Sequence, residues 1–330
     1  MHAAPQPQIA AGSTQLVRAR ALRELRNFEL IRKVILKQAD RPTVTCTLAS
    51  GVSDSNPVDV EFYMSSNRPI YGHWPRNKSR VTEENIGYLR IEEMDDQLIP
   101  HIEKSMNAFR NTDGLIVDVR GNGGGTRLPL IVLASYLLGP DDEPWVGNVG
   151  RYRLSERFGQ DHLEARYTYR ANDPRWTDSQ RLAIKSLGDE FEPEWNHAEG
   201  FSEWHYLVLD RIELIKSYFY DKPVVILSNA NCFSATDIFL GALAGRPRVT
   251  LMGGPSGGGS ARSQRFKLPN SGIEISCASM ASFRPDGRLY DGRGIDVDVE
   301  IESEPLDFLY SGQDRVLGAA IDHIQSHNAK

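Results

Sequence analysis

"PVVILSNANCFSATDIFLGALAG", residues 223–245, holds an apolar run, a polar turn and an apolar-periodic stretch in immediate succession. That order reads as strand, turn and helix. One residue in the turn carries two readings. Ser234 and Asp237 have the S-x-x-D spacing of a capping box, Phe233 and Ile238 fall at the flanking positions of a hydrophobic staple, and Ile238, Ala242 and Leu243 continue a helical face toward a core. On this reading Ser234 only starts a helix. The other reading makes it a nucleophile. A serine after a strand, at a helix N-terminus, sits in a positive potential that stabilises developing negative charge, and the Ala235 N–H points the same way. The stretch by itself leaves both open.

A second strand-turn-helix lies upstream. "DGLIVDVR" (113–120) is a buried strand running into "GNGGGT" and then the apolar helix "LPLIVLASYLL". Around these, "NIGYLRIEEM" and "RVTLMG" read as strands, residues 96–111 as a helix, and "LVLDRIELIKSYF" (207–219) as a helix. "ARSQRFKLPNSGIEISCASM" reads as a hairpin turning at residues 269–272, and the tail from Leu306 as mostly helical. Strands alternating with helices imply an α/β core. The expected organisation is a leader and small helix/strand segment over residues 1–72, then a core over 73–330. In the first part, "LVRARALRELRNFELIRKVILKQ" reads as a helix, and "PTVTCTLAS" and "VDVEFYM" as two strands. Residues 140–205 are polar, tryptophan-bearing and irregular in pattern, and read as an insertion or lid.

Bulk properties narrow the function. Of 330 residues, 40% are hydrophobic and 25% charged, which supports a sizeable folded core. Net charge is −6 with no basic block, which argues against nucleic acid as a partner. No apolar run approaches membrane-spanning length, and the N-terminus lacks the charged-then-apolar pattern of a signal peptide. Cys46, Cys232 and Cys277 match no zinc spacing and suggest thiols, Cys232 as a small buried residue. The glycine-rich "RGNGGGT" lacks the G-K-[ST] ending of a phosphate loop, and no G-x-G-x-x-G occurs, which disfavours nucleotide binding; the acyl-transfer chemistry expected below requires no metal or cofactor. Successive backbone N–H groups in such a turn suit an oxyanion hole instead.

With these motifs in order, the chain resembles the C-terminal processing (tail-specific) serine proteases. "GLIVDVRGNGGG" is similar to their D-L-R-x-N-x-G-G segment, "FSATDIFLGAL" to their S-A-S-E-I-x-x-G-A-L nucleophile segment, and "YDGRGIDVDVEI" to their closing G-I-x-P-D segment, with Val297 in place of the proline. The resemblance covers about residues 86–302 and implies a crotonase/ClpP-like core of stacked β-β-α units. The first strands then look like the far end of a PDZ-type domain. By this match Ser234 aligns with the nucleophile, and Gly124 (or Gly125) and Ala235 with oxyanion donors. Lysine-dependent members carry F-G-K-G after the nucleophile helix. Here "GGGS" stands there, with Gly259 at the lysine position. That resembles the lysine-lacking subgroup related to tricorn protease and interphotoreceptor retinoid-binding protein, the first a peptidase with a serine–histidine pair, the second a ligand binder.

Without that lysine a histidine is the expected base. His73, His101, His197 and His205 are the candidates, His205 first and His73 second. Asp291 matches an acidic residue that could orient such a base, though "DG" also marks a turn, and Lys267 is not expected to substitute for the missing lysine. The expectation is a serine peptidase acting on a peptide or protein substrate through a Ser234 acyl-enzyme. The alternatives are a ligand- or peptide-binding relative on the same fold and, third, a crotonase-like acyl-thioester enzyme. Oligomeric state is left open.

Overall fold

A computed structural model of the chain describes residues 12–24, 32–34, 36–38, 43–48, 57–63, 78–154, 163–196, 199–212, 217–301 and 314–328. Two compact units emerge. Residues 1–9 and 20–73 make the first, residues 10–19 and 74–330 the second. Helix α1 (Thr14–Glu24) contributes to both. The described strands of the first unit, β1 (Thr43–Leu48) and β2 (Val58–Tyr63), pair antiparallel, as expected for this segment.

In the second unit the chain runs through β3 (Arg80–Val81), β4 (Ile86–Arg90), helix α2 (Ile99–Ala108), β5 (Gly114–Asp118), helix α3 (Leu128–Leu137), β6 (Trp145–Tyr152), β7 (Tyr169–Arg170), helix α4 (Asp178–Glu190) and β8 (His205–Leu209). It continues through β9 (Val224–Ser228), helix α5 (Ala235–Leu243), β10 (Val249–Gly253), β11 (Ser263–Lys267), β12 (Glu274–Ala278), β13 (Met280–Phe283), β14 (Val299–Glu300) and helix α6 (Arg315–Asn328). The main sheet has the order β14-β10-β9-β5-β4-β3, parallel except at β3.

The central strands are near-continuous apolar runs because both faces are covered. Their period of two divides them between two cores. Leu115, Val117, Val224 and Ile226 face one core, with Leu130 and Leu133 of α3 and Ile238 and Leu243 of α5. Ile116, Val225 and Leu227 face the other, with Val316, Leu317, Ala320 and Ile324 of α6. A buried polar tie joins the sheet to the last helix. Arg120 pairs with Asp118 and with Asp314, and Tyr88 donates to Asp118 Oδ2 at 2.7 Å. The parallel order brings the C-terminal ends of β5 and β9 together, and the two expected strand-turn-helix segments start there.

Two expectations need correction. The described residues of 140–205, read as an irregular insertion or lid, are regular. They hold β6, β7 and α4, and with β8 and β13 build a four-stranded antiparallel sheet in the order β13-β6-β8-β7. Trp176, Ile184, Val146, Val208 and Phe283 pack a third core there, so the tryptophans mark packing. Likewise His205–Leu209 is a strand, not the start of a helix over 207–219, of which residues 213–216 lie outside the described residues. All five residues of β8 are buried and the strand is paired on both edges, a tertiary demand that overrides its helical spacing. The hairpin β11–β12 has its turn where expected, with Gly272 at φ 69° and its N–H donating to Leu268 O. Among the described residues no helix is long and apolar enough to cross a membrane.

Candidate active site

Ser234 sits between the end of β9 and the start of α5 with φ 62° and ψ −120°. This is a sparsely populated backbone conformation for a residue with a side chain, and such conformations concentrate where function requires them. Its side chain makes no capping hydrogen bond. The capping box of the sequence therefore does not form, and α5 starts by the Ile238 N–H donating to Ser234 O at 3.3 Å. The turn is held by backbone groups on either side. Phe233 N–H donates to Asn122 O, Thr236 N–H to Phe233 O, and Gly257 N–H to Cys232 O. A serine on such a turn presents its hydroxyl instead of folding it back onto the helix.

The glycine turn after β5 lies directly against this serine. A β-carbon on Gly124 would fall 2.5 Å from Ser234 Cβ, 2.6 Å from Phe233 O and 2.9 Å from the Ala235 nitrogen. Gly124 has φ 100° and Gly125 φ 142°, both in the region that favours glycine. Buried Asn122 joins the two turns. Its Oδ1 accepts from the Gly124 N–H at 2.9 Å and from Thr236 Oγ1 at 2.8 Å, while its Nδ2 donates to Ile91 O. On the far side, Met94 N–H donates to Gly124 O and Thr126 N–H to Met94 O. In this parallel bridge the Gly125 N–H points away from Met94.

The third glycine stretch, residues 253–260, is fastened to α5 by Asp237. This buried carboxylate accepts from Ser256 Oγ at 2.5 Å, Gly258 N at 3.0 Å and Gly259 N at 3.1 Å. Burial nonetheless outweighs those bonds and pushes its pKa up to about 6. Ser256 Oγ also accepts from Ile295 N, and Ser13 and Gln15 at the start of α1 donate to Gly257 O and Ser256 O. At the position aligned with the lysine, a β-carbon on Gly259 would overlap the Phe233 ring. The ring occupies the space where a side chain from 259 would start.

The remaining expected residues fall as follows. His205 begins β8, 1% exposed, with Nδ1 2.9 Å from Glu203 O and its ring 5.5 Å from that of Tyr152. It borders a 300 Å³ cleft with Glu164, Tyr169, Arg170 and Asp173. His101 is exposed on α2, with Nε2 2.9 Å from Ser79 Oγ. His73 and His197 lie outside the described residues. Asp291 accepts from Ser260 N, Ser260 Oγ and Ala261 N, so it anchors the loop after Gly259, and burial raises its pKa. Cys232 donates its thiol to Val119 O, and burial pushes its pKa up to about 12, which leaves it unsuited to attack near neutral pH. Among the described residues no group of three or more His, Cys, Asp or Glu could hold a metal ion. Asn122 and Ser256 were missed by sequence reasoning. Asn122 stands in the quoted "GNGGG", but only the fold shows that its amide bridges two turns.

The comparisons bear on the family and the fold. Residues 85–301 match the pattern of Peptidase family S41. A carboxy-terminal-processing protease of Bartonella bacilliformis is 32% identical over 98 residues, 30% of this chain and 22% of that protein. A crystal structure of a putative peptidase from Parabacteroides merdae matches with a TM-score of 0.52 and 22% identity, over 74% of this chain and 62% of that one. A CPAF mutant matches with a TM-score of 0.53 and 19% identity, over 86% and 53%. At these identities the two structures speak for the fold, and the chain aligns with less than two thirds of each relative's length. The family pattern spans the glycine turn, the serine elbow and the Asp237-anchored loop together, and the chain belongs to peptidase family S41.

Proposed function

We propose that the protein is a serine peptidase that cleaves peptide bonds through a Ser234 acyl-enzyme. The observation that carries this is the strained Ser234 turn, whose hydroxyl caps nothing and which abuts Gly124. Ser234 Oγ attacks the substrate carbonyl and gives its proton to a base. The Ala235 N–H and the Gly124–Gly125 turn hold the oxyanion. The C–N bond then breaks, the amine leaves with the proton, and water releases the acyl group from Ser234. A histidine takes the role of base, with His205 and His73 the two to test. Asp291 supports the site by holding Ser260, and would have to shift to orient a histidine. The substrate is a peptide or protein.

The finer fold reading is proposed with it: a crotonase/ClpP-like core over 73–330 that residues 10–19 join, with the rest of the expected 1–72 segment resembling a PDZ remnant. A second reading, a peptide- or ligand-binding relative without catalysis, is favoured by one feature. The Gly124 N–H is already engaged by Asn122. Labelling by a fluorophosphonate, together with hydrolysis of a peptide library, separates the two readings. The peptidase reading expects labelling in the wild type and none in Ser234→Ala. A wild type that neither labels nor cleaves supports the binding protein.

A further inference from the structure

Between β10 and β11 the chain has no regular secondary structure. Glycines at 254, 257, 258 and 259 give this loop wide conformational freedom. Its place therefore depends on what bonds its backbone groups, which need partners when buried. On one side Asp237 accepts from the Gly258 and Gly259 N–H groups, and the Gly257 N–H donates to Cys232 O at 2.7 Å. On the other side the start of α1 takes the carbonyls. Ser13 N–H and Oγ donate to Gly257 O at 3.0 and 2.8 Å. Gln15 Nε2 donates to Ser256 O at 2.7 Å and to Arg293 O at 2.6 Å, so one amide ties two segments. Ser13 Oγ also accepts from the Leu16 N–H, as a helix N-cap does. Ser13 and Leu16 are buried, and a β-carbon on Gly257 would lie 3.2 Å from Leu16 Cδ1. These residues belong to the second unit, yet they lie well before the span 85–301 that matches the family.

We infer that Ser13 and Gln15 are positioning residues for Ser234: they set the loop 256–259, and the loop sets the serine turn. Ser234 has φ 62° and a side chain that caps nothing, so its conformation persists only where its neighbours over-determine it. Three of those neighbours rest on the loop. Cys232 O accepts from Gly257, the Phe233 ring lies where a side chain on Gly259 would start, and Asp237 accepts from Ser256, Gly258 and Gly259. Without the Gln15 donor, Ser256 O and Arg293 O lose the group that joins them, and the loop gains freedom to shift. A shift of about 1 Å at the nucleophile is enough to cost up to about 10²-fold in rate. The consequence for rate rests on the peptidase reading, because that reading puts the attack at Ser234.

The test compares three variants of the full chain with the wild type. Gln15→Glu keeps the shape but turns a carboxylate toward two carbonyl oxygens, Gln15→Leu removes the donor without adding charge, and Gln15→Lys keeps a donor. Labelling at a series of fluorophosphonate concentrations separates the maximal rate from the affinity for the probe. Gln15→Glu is expected to lower the maximal rate by about tenfold or more with the half-saturating concentration unchanged, and Gln15→Lys to restore most of that rate. If Gln15→Glu does not fold, Gln15→Leu carries the same comparison. Amide hydrogen exchange on the same proteins needs no catalysis. It is expected to speed up at residues 256–259 and at 232–238 in the Glu and Leu variants, and to stay near wild type in the Lys variant. Exchange that leaves residues 232–238 unchanged overturns the inference. So does a labelling rate that Gln15→Glu and Gln15→Leu leave intact, or a loss that Gln15→Lys shares in full. A wild type that does not label fails the peptidase reading alone, and exchange at 232–238 then decides whether α1 sets the serine turn.

Discussion

Gly124 and Ser234 touch so closely that position 124 has no room for a β-carbon, which would fall 2.5 Å from Ser234 Cβ. The contact joins the turn after β5 to the turn after β9, and both follow neighbouring strands of one parallel sheet. Gly124→Ala should therefore displace the serine or open the glycine turn, at a φ of 100° that alanine also resists. The expected result is a folded protein with labelling and hydrolysis reduced by about 10²-fold or more. An unchanged labelling rate would take this turn out of the chemistry.

The backbone of Ser234 leads to a second test. Because the side chain caps nothing, Ser234→Ala should lose no capping energy. Because φ is 62°, Ser234→Gly should relieve strain and stabilise the fold by about 1 kcal/mol. Both variants should lose hydrolysis by about 10³-fold or more. Urea unfolding beside probe labelling checks the pair. A loss of about 1 kcal/mol in the alanine variant, as a broken cap would give, contradicts the geometry.

Much of the scaffold around Ser234 was legible in the sequence because local chemistry wrote it. The apolar runs of β5 and β9, the glycines after the first and the polar turn after the second announced two strand-turn-helix units, and the structure places both turns at the C-terminal ends of these adjacent central strands. The role of Asp237 was not legible. Its S-x-x-D spacing from Ser234 fits a capping box, yet the carboxylate turns to Ser256, Gly258 and Gly259, nineteen or more residues later. Nor was the sheet built by β6, β7, β8 and β13 legible, since its strands pair across as many as 134 residues, as from Asn148 Nδ2 to Ser282 Oγ. Local periodicity carries no signal over such separations. The absence of lysine at 259 was visible, but its physical counterpart, the ring of Phe233, needed the fold.

That ring gives the third prediction. Gly259→Lys alone should not install a lysine base, since its β-carbon overlaps Phe233. Overpacking of this kind costs typically about 1–3 kcal/mol. Phe233→Ala with Gly259→Lys should recover most of that loss by vacating the space. Thermal or urea unfolding of the single and double variants measures the coupling. If the two changes add independently, the ring is not what excludes a side chain at 259.

The pH dependence of stability gives the last prediction, through Asp237. Burial lifts its folded pKa to about 6, against an ordinary value of 3.8, despite three hydrogen bonds to the carboxylate. Between those values the folded protein keeps a proton that the unfolded chain has released. Stability from this group is therefore fully present below about pH 4 and is lost as pH rises toward and through about 6. The loss is at most about 3 kcal/mol, from roughly two pH units at about 1.4 kcal/mol each. Asp237→Asn cannot titrate and should lack this slope, whatever its absolute stability. Urea unfolding of both proteins at pH 4, 5, 6 and 7.5 gives the comparison. The wild-type stability minus that of the variant should fall from pH 4 to 6 and level off above about 7. Asp291, also buried with a raised pKa, is present in both proteins and cancels to first order. Parallel curves would show that the Asp237 carboxyl titrates alike in the folded and unfolded chains, and that burial at the start of α5 does not hold its proton.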